Sequence, residues 1–208
     1  MPTLLHRYFK MSKIQNLIED KKFSYLKPYF YQQPYAFRCE LAVGESFEIR
    51  MRNAYDRALQ IYHILFPDGK ADALIFNHWH YDGEPDKDFS EILNCYPYKI
   101  IRNLPVYDWD TEYQPHMHRS RIICYAGEIN FNYKLIIKNL LQEDFGLTNH
   151  EESFVSFGNE CILSVYDDRG CDITFADVQK FRDFYPILEP WFLDYDRKIM
   201  QERLDKLA

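Results

Sequence analysis

Two short apolar runs near the carboxyl end, "ECILSVY" and "CDITF", are separated only by Asp167-Asp168-Arg169-Gly170. A connection this short can join only antiparallel neighbours, because a parallel pair needs a crossover of a dozen residues or more. The runs therefore predict a β-hairpin, with Asp side chains bonding the turn and Gly170 taking a positive φ. No other feature constrains the fold as strongly: a hairpin must sit in a sheet, and the flanking sequence is helical.

Between Ser46 and Phe66 the positions Met51, Ala54, Tyr55, Ala58, Ile61, Tyr62 and Leu65 recur at three and four residues, which is one face of a helix. Ser46 suits the N-cap, Glu48 the first turn, and Pro67-Asp68-Gly69 the stop. A second helix is read in "NYKLIIKNLLQEDFG", with Asn132 as cap and Gly146 as its C′ residue. The run 71–81 reads as a buried strand, and further strands are read at 36–43 and 119–126. A helix follows the hairpin in "ADVQKFRDFY" and is expected to break at Tyr185-Pro186. A last helix is expected to start near Pro190 and to run through Trp191, Phe192, Tyr195 and Ile199. Segments 25–37 and 96–118 read as long irregular connections. The expectation is an α+β fold: a mixed or largely antiparallel sheet flanked by helices, with a C-terminal β-hairpin and terminal helices. Residues 1–35 are read as a helical segment and connection, and 36–208 as the domain.

With 32 acidic and 25 basic side chains the formal charge is −7, which opposes binding to a phosphate backbone, so nucleic acid is not expected as a partner. An acidic surface favours fast capture of a basic partner. Five widely spaced cysteines without a C-x-x-C pair exclude a disulfide framework or zinc knuckle pattern and read as small core residues. No run of roughly 18 apolar residues occurs and the N-terminus lacks a secretion-signal core, so a cytoplasmic protein without a membrane partner is expected.

Candidate chemistry is sparse. His78-x-His80-x-Asp82 follows the 71–81 strand, and alternation allows all three to share one side, where His116 or His118 could add ligands. Hydrolases with this run usually carry a further His directly after the Asp, and here Gly83 stands there. The expectation is therefore a polar strand end with Trp79 in the core on the opposite face, and no metal. There is no G-x-S-x-G elbow, Walker loop or G-x-G-x-x-G, so neither nucleophilic catalysis nor a nucleotide cofactor is indicated.

The richest clusters are "VYDDRGCDI" and "WFLDYDRK". Tyr166, Asp167, Asp168, Arg169, Asp172, Trp191, Asp194, Tyr195 and Arg197 are the candidate binding residues. Asp167 and Asp168 can serve the turn, and Arg169 can fork onto a carboxylate. Asp194 and Asp196 suit a helix start, with Arg197 one turn after Asp194. Here the chain resembles a bacterial family catalogued as domain of unknown function 3885. The likeness rests on the Tyr166-Asp167-Asp168-Arg169-Gly170 turn with Asp172 and Ile173, and on Trp191 with the Asp194-Tyr195-Asp196-Arg197 run. "AYDRALQIYHILF", "LPVYDWD" and "LIIKNLLQEDFG" add to it. The resemblance implies a bacterial cytoplasmic protein and a single α+β domain, with no activity to carry over.

Three functions are open on these residues. One is a noncatalytic protein-binding module of the toxin-immunity or antitoxin kind, with a basic partner such as a toxin. Another is a metal-dependent hydrolase centred on His78, His80 and Asp82. The third is a small-anion-binding domain in which the two C-terminal motifs form halves of one site, with Arg169 or Arg197 meeting the anion.

Overall fold

The computed structural model describes residues 12–20, 29–81, 96–102, 117–126, 130–142 and 151–207. In chain order the elements are α1 (Lys13–Glu19), α2 (Tyr29–Gln32), β1 (Ala36–Glu40), α3 (Phe47–Leu65), β2 (Ala73–Tyr81), β3 (Tyr98–Arg102), β4 (Met117–Tyr125), α4 (Tyr133–Leu140), β5 (Glu151–Ser156), β6 (Cys161–Val165), β7 (Gly170–Phe175), α5 (Val178–Leu188) and α6 (Arg197–Asp205). Two 3-10 turns, Glu189–Trp191 and Asp194–Asp196, link α5 to α6. The strands form one sheet in the order β1-β7-β6-β5-β2-β4-β3. Every pairing among them is antiparallel. The architecture is the expected α+β domain, at the antiparallel end of the expectation.

Alternation along the strands divides the sheet. Leu74 and Phe76 of β2, Ile122 and Cys124 of β4, Leu163 of β6 and Ile173 of β7 belong to a front core beneath α3, α4 and α5. Ala73, Ile75, Ile123, Val155 and Ile162 belong to a back core closed by Ile14 and Ile18 of α1. Ring stacking fixes the front helices. Tyr62 lies parallel to Tyr133 at 4.3 Å and joins α3 to α4, while Phe37 stacks on Phe181 at 4.4 Å and seats α5 on the sheet. Such contacts add to area burial because aromatic pairs have preferred geometries.

Ser46 and Asn132 cap α3 and α4 as expected, accepting from Ile49 N and Leu135 N. Gly69, at φ 70, follows α3 in the Pro67-Asp68-Gly69 stop. Gly146 lies outside the described residues. The helix α5 runs through Pro186 instead of breaking there. The proline removes one donor from the backbone ladder, and continuing past it buries Leu188 completely. The last helix starts at Arg197, later than expected. Pro190 sits in a 3-10 turn, and at Leu193 the chain is extended (ψ 121), where its amide bonds to the β1 edge. Strands β3 and β5 were not foreseen. Tyr98–Arg102 lies inside a proline-rich stretch, and Glu151–Ser156 opens with two glutamates, so neither shows an apolar run.

The helix α1 is docked by ionic contacts at its start. Glu160, in the β5–β6 turn at φ 52, accepts from Lys13 N at 3.1 Å and Ile14 N at 2.6 Å, placing a carboxylate at the positive end of the helix. Lys13 pairs with Asp177, whose side chain also caps α5 through Gln179 N at 2.8 Å and Lys180 N at 3.2 Å. The Lys13 ammonium, then the capping amide of Lys180, hold the Asp177 carboxyl below its ordinary value. For a depressed acid the stabilisation is full above the unfolded-state value and is lost as pH falls through the folded one. Asp177→Ala should therefore cost about 1 kcal/mol at neutral pH. In urea unfolding, variant and wild type should converge only below the ordinary aspartate range.

Candidate functional site

The hairpin places Asp172 on β7 directly opposite Arg38 on β1, on the side of the sheet that α2 covers. Arg38 was not among the sequence candidates, yet the whole cluster is built on it. Its Nε donates to Asp172 Oδ1 at 2.8 Å and its Nη2 to Asp172 Oδ2 at 2.9 Å, a two-pronged pair of the strong type. Phe30 N donates to the same Oδ2 at 3.0 Å. Asp196 approaches from the C-terminal segment, with Oδ2 3.8 Å from Arg38 Nη1. That is an ion pair too long for a hydrogen bond. The Tyr31 hydroxyl donates to Asp196 Oδ1 at 3.0 Å. Arg203 of α6 donates to Ala36 O at 3.0 Å and Phe30 O at 2.7 Å.

Aromatic rings enclose the guanidinium. Its Cζ lies 4.8 Å from the Tyr31 ring centre, 5.3 Å from Phe30 and 5.4 Å from Tyr166. Asp172 is 1% exposed, Asp196 0% and Arg38 8%. Burial opposes the Arg38 charge, but the Asp172 bonds outweigh it and hold the guanidinium above its ordinary pKa. Burial also pushes the Tyr166 phenol upward. The cluster is closed: Arg38 and Asp172 are occupied by protein partners, and they are buried too deeply to meet a ligand.

The other sequence candidates separate into an inward and an outward set. Asp167, 2% exposed, accepts from Arg169 N at 2.7 Å and Arg169 Nε at 2.8 Å. Arg169 thus closes on its own turn. Asp168 meets Arg50 of α3 at 3.5 Å. Arg197 donates to Asp194 at 3.1 Å and reaches the carbonyls of Glu189 and Phe192 at 3.4 Å. Trp191 is partly buried at the edge of the front core. Tyr195 stands in solvent, 84% exposed. The two motifs therefore meet through Asp172 and Asp196, while Arg169 and Arg197 face different partners.

Gly170 does not take a positive φ; among the described glycines Gly44 and Gly69 do. Space is what requires glycine there. A Cβ at 170 would lie 2.2 Å from the Tyr166 hydroxyl oxygen and 2.7 Å from Cys39 O.

Elsewhere, Cys39, Cys124, Cys161 and Cys171 are buried and free, and Cys95 lies outside the described residues. Burial pushes the Cys124 thiol up to about 11 and raises that of Cys161, the reverse of activation. Among the described side chains no group of three His, Cys, Asp or Glu is arranged to hold a metal. His78 and His80 lie on β2 and His118 on β4, where the backbone is described. Asp82 and His116 lie outside the described residues. No helix among the described residues is long and apolar enough to cross a membrane.

A family model described as "Domain of unknown function (DUF3885)" matches residues 15–196. The chain belongs to this family. The match spans from α1 to the end of the Asp194–Asp196 turn, so it takes in β1, the hairpin and both carboxylates of the Arg38 cluster. No curated protein and no solved structure matches the chain.

The steric account gives a paired test. Gly170→Ala should destabilise the protein by about 2–3 kcal/mol through overpacking against backbone and a buried ring. Gly158→Ala, where nothing lies within 4 Å of the added carbon, should change stability by less than about 0.5 kcal/mol. Chemical denaturation of the two variants checks both.

Proposed function

We propose that this member of the DUF3885 family is a noncatalytic protein-binding module of the immunity or antitoxin kind, acting in the cytoplasm on a basic protein partner such as a toxin. One observation carries the reading: the Asp194-Tyr195-Asp196 turn is pinned from below and bare on top. Asp196 is fully buried against Arg38 and Tyr31, whereas Tyr195 between its two aspartates is 84% exposed. A large aromatic side chain on a turn that cannot easily move is the kind of anchor that dominates binding energy when a partner desolvates it.

The surroundings suit a basic partner. Ile199 is exposed in the first turn of α6, four residues after Tyr195, and Ile187 is exposed on α5. Asp183, Glu189, Asp194, Glu202 and Asp205 are exposed along the same C-terminal elements, against Lys198 and Lys206. Carboxylates around an apolar centre speed encounter with a cationic surface and disfavour anionic competitors. The small-anion reading has less support, because Arg169 and Arg197 are each bonded to a local carboxylate.

The test is affinity capture from the native host with the wild-type chain and a Tyr195→Ala variant as baits, followed by titration of the retained protein. The reading expects a basic protein held by the wild type and weakened by more than about 2 kcal/mol in the variant, with an association rate that falls as salt rises. Folding stability of the variant should stay within about 0.5 kcal/mol of wild type. A partner bound equally by both baits, or no partner, removes the basis of the proposal.

A further inference from the structure

The front helices present a surface that the protein-binding proposal does not use. Tyr62 of α3 stacks on Tyr133 at the start of α4, and Met51 and Tyr55 of α3 lie beside Leu141 just past its end. The two helices are therefore antiparallel, and two hollows open along their outer side. One, of about 390 Å³, is floored by Met51, Tyr55 and Leu141, with Arg52 and Lys138 beside them. The other, of about 500 Å³, joins Leu59, Ile64 and Trp191, with His63 and Lys134 beside them. The apolar members rest on the front core, while Arg52, His63, Lys134 and Lys138 are exposed. At the rise of an α-helix the hollows are centred about 13 Å apart along α3.

Charge decides what suits these hollows. The chain carries a formal charge of −7, yet this face is basic. Between Met51 and Ile64 the only acidic residue of α3 is Asp56, and α4 contains none. Arg57 is engaged by Glu40 at 3.8 Å, but among the described residues no carboxylate pairs with Arg52, Lys134 or Lys138. Covering three unmatched cations with a neutral surface costs desolvation energy that nothing returns, whereas carboxylates on the occupant offset it. We propose that the α3–α4 face is the docking site of an acidic amphipathic helix from a protein partner. The apolar stripe of that helix fills the two hollows, and its flanking Asp or Glu side chains meet Arg52, Lys134 and Lys138. The spacing suits a helix, since residues seven or eight apart on one face are separated by about 10–12 Å. The groove between two packed helices also seats a third by ridge-into-groove packing. This surface is opposite in charge to the one around Tyr195, so the inference goes beyond the proposed basic partner and does not depend on it.

The experiment is a fluorescence-anisotropy titration of the full chain against a labelled synthetic helix of about 18 residues, with leucines at helical spacing and glutamates on both flanks. A second peptide carries Gln in place of every Glu, and a third carries Ala in place of every Leu. The wild-type chain should bind the glutamate peptide at least about fivefold more tightly than the glutamine peptide, the combined effect of three exposed ion pairs. The advantage should shrink as salt rises, and the alanine peptide should bind more weakly than the glutamate peptide. The overall negative charge of the chain works against this order, so observing it points to a local basic site. The Lys134→Glu/Lys138→Glu variant should lose the preference for glutamate. The control Lys198→Glu/Lys206→Glu makes the same change in net charge at exposed positions of α6 and should keep it. The proposal is overturned if the wild-type chain fails to prefer the glutamate peptide, if the alanine peptide binds as well, or if both double variants behave alike. Because the wild-type comparison alone can refute it, misfolding of a variant does not shield the proposal.

Discussion

The fold turns on one buried cation. A guanidinium removed from water costs several kcal/mol unless its donors are satisfied and its charge is met, and Arg38 is met on every side. Asp172 takes two of its donors, Asp196 stands at ion-pair distance, and three rings pack about its plane. Arg203 adds a second positive charge at the rim of the cluster, half-buried over the Phe30 ring at 4.2 Å and bonded to the carbonyls of Ala36 and Phe30. The participants come from distant parts of the chain: α2, β1, β7, the Asp194–Asp196 turn and α6. Satisfying Arg38 therefore obliges these elements to assemble together, a many-body constraint that area burial alone would not impose.

The same cluster solves a problem posed by the sheet order. As an edge strand, β1 presents unpaired backbone groups that invite pairing with other chains. Leu193 N donates to Arg38 O at 3.0 Å, and Phe192 forms an isolated bridge with Cys39, so the C-terminal segment covers that edge. Asp196 holds the covering segment down. Because successive residues of a tight turn point in different directions, fixing Asp196 inward leaves Tyr195 outward. Stability and display thus arise from neighbouring residues of one short motif.

What could be read from the sequence follows from how local each signal is. The helix α3, with its cap at Ser46 and its stop at Pro67-Asp68-Gly69, and the hairpin around 167–170 are written in contiguous residues and were legible. Strands β3 and β5 were not, because Tyr98–Arg102 and Glu151–Ser156 owe their state to neighbours in the sheet, and a two-glutamate start carries no strand signal. At the candidate site the aspartates stood out by composition, but Arg38 sits in an apolar strand whose charge makes sense only once Asp172 is placed opposite. Arg121 is a parallel case. It is fully buried on the back face and donates to Ile18 O at 2.8 Å and Asp20 O at 3.4 Å, closing the end of α1. The proline in α5 misled for the opposite reason: a strong local rule was outweighed by the burial of Leu188.

The measurement that bears most directly on this account is a double-mutant cycle between Arg38→Met and Asp172→Asn, read by urea unfolding. If the buried pair organises the domain, each single change strands a partner and costs about 3–5 kcal/mol. The double variant should then be less destabilised than the sum of the singles by about 2 kcal/mol or more. Additivity within about 0.5 kcal/mol would show that Arg38 and Asp172 act independently and would contradict the account.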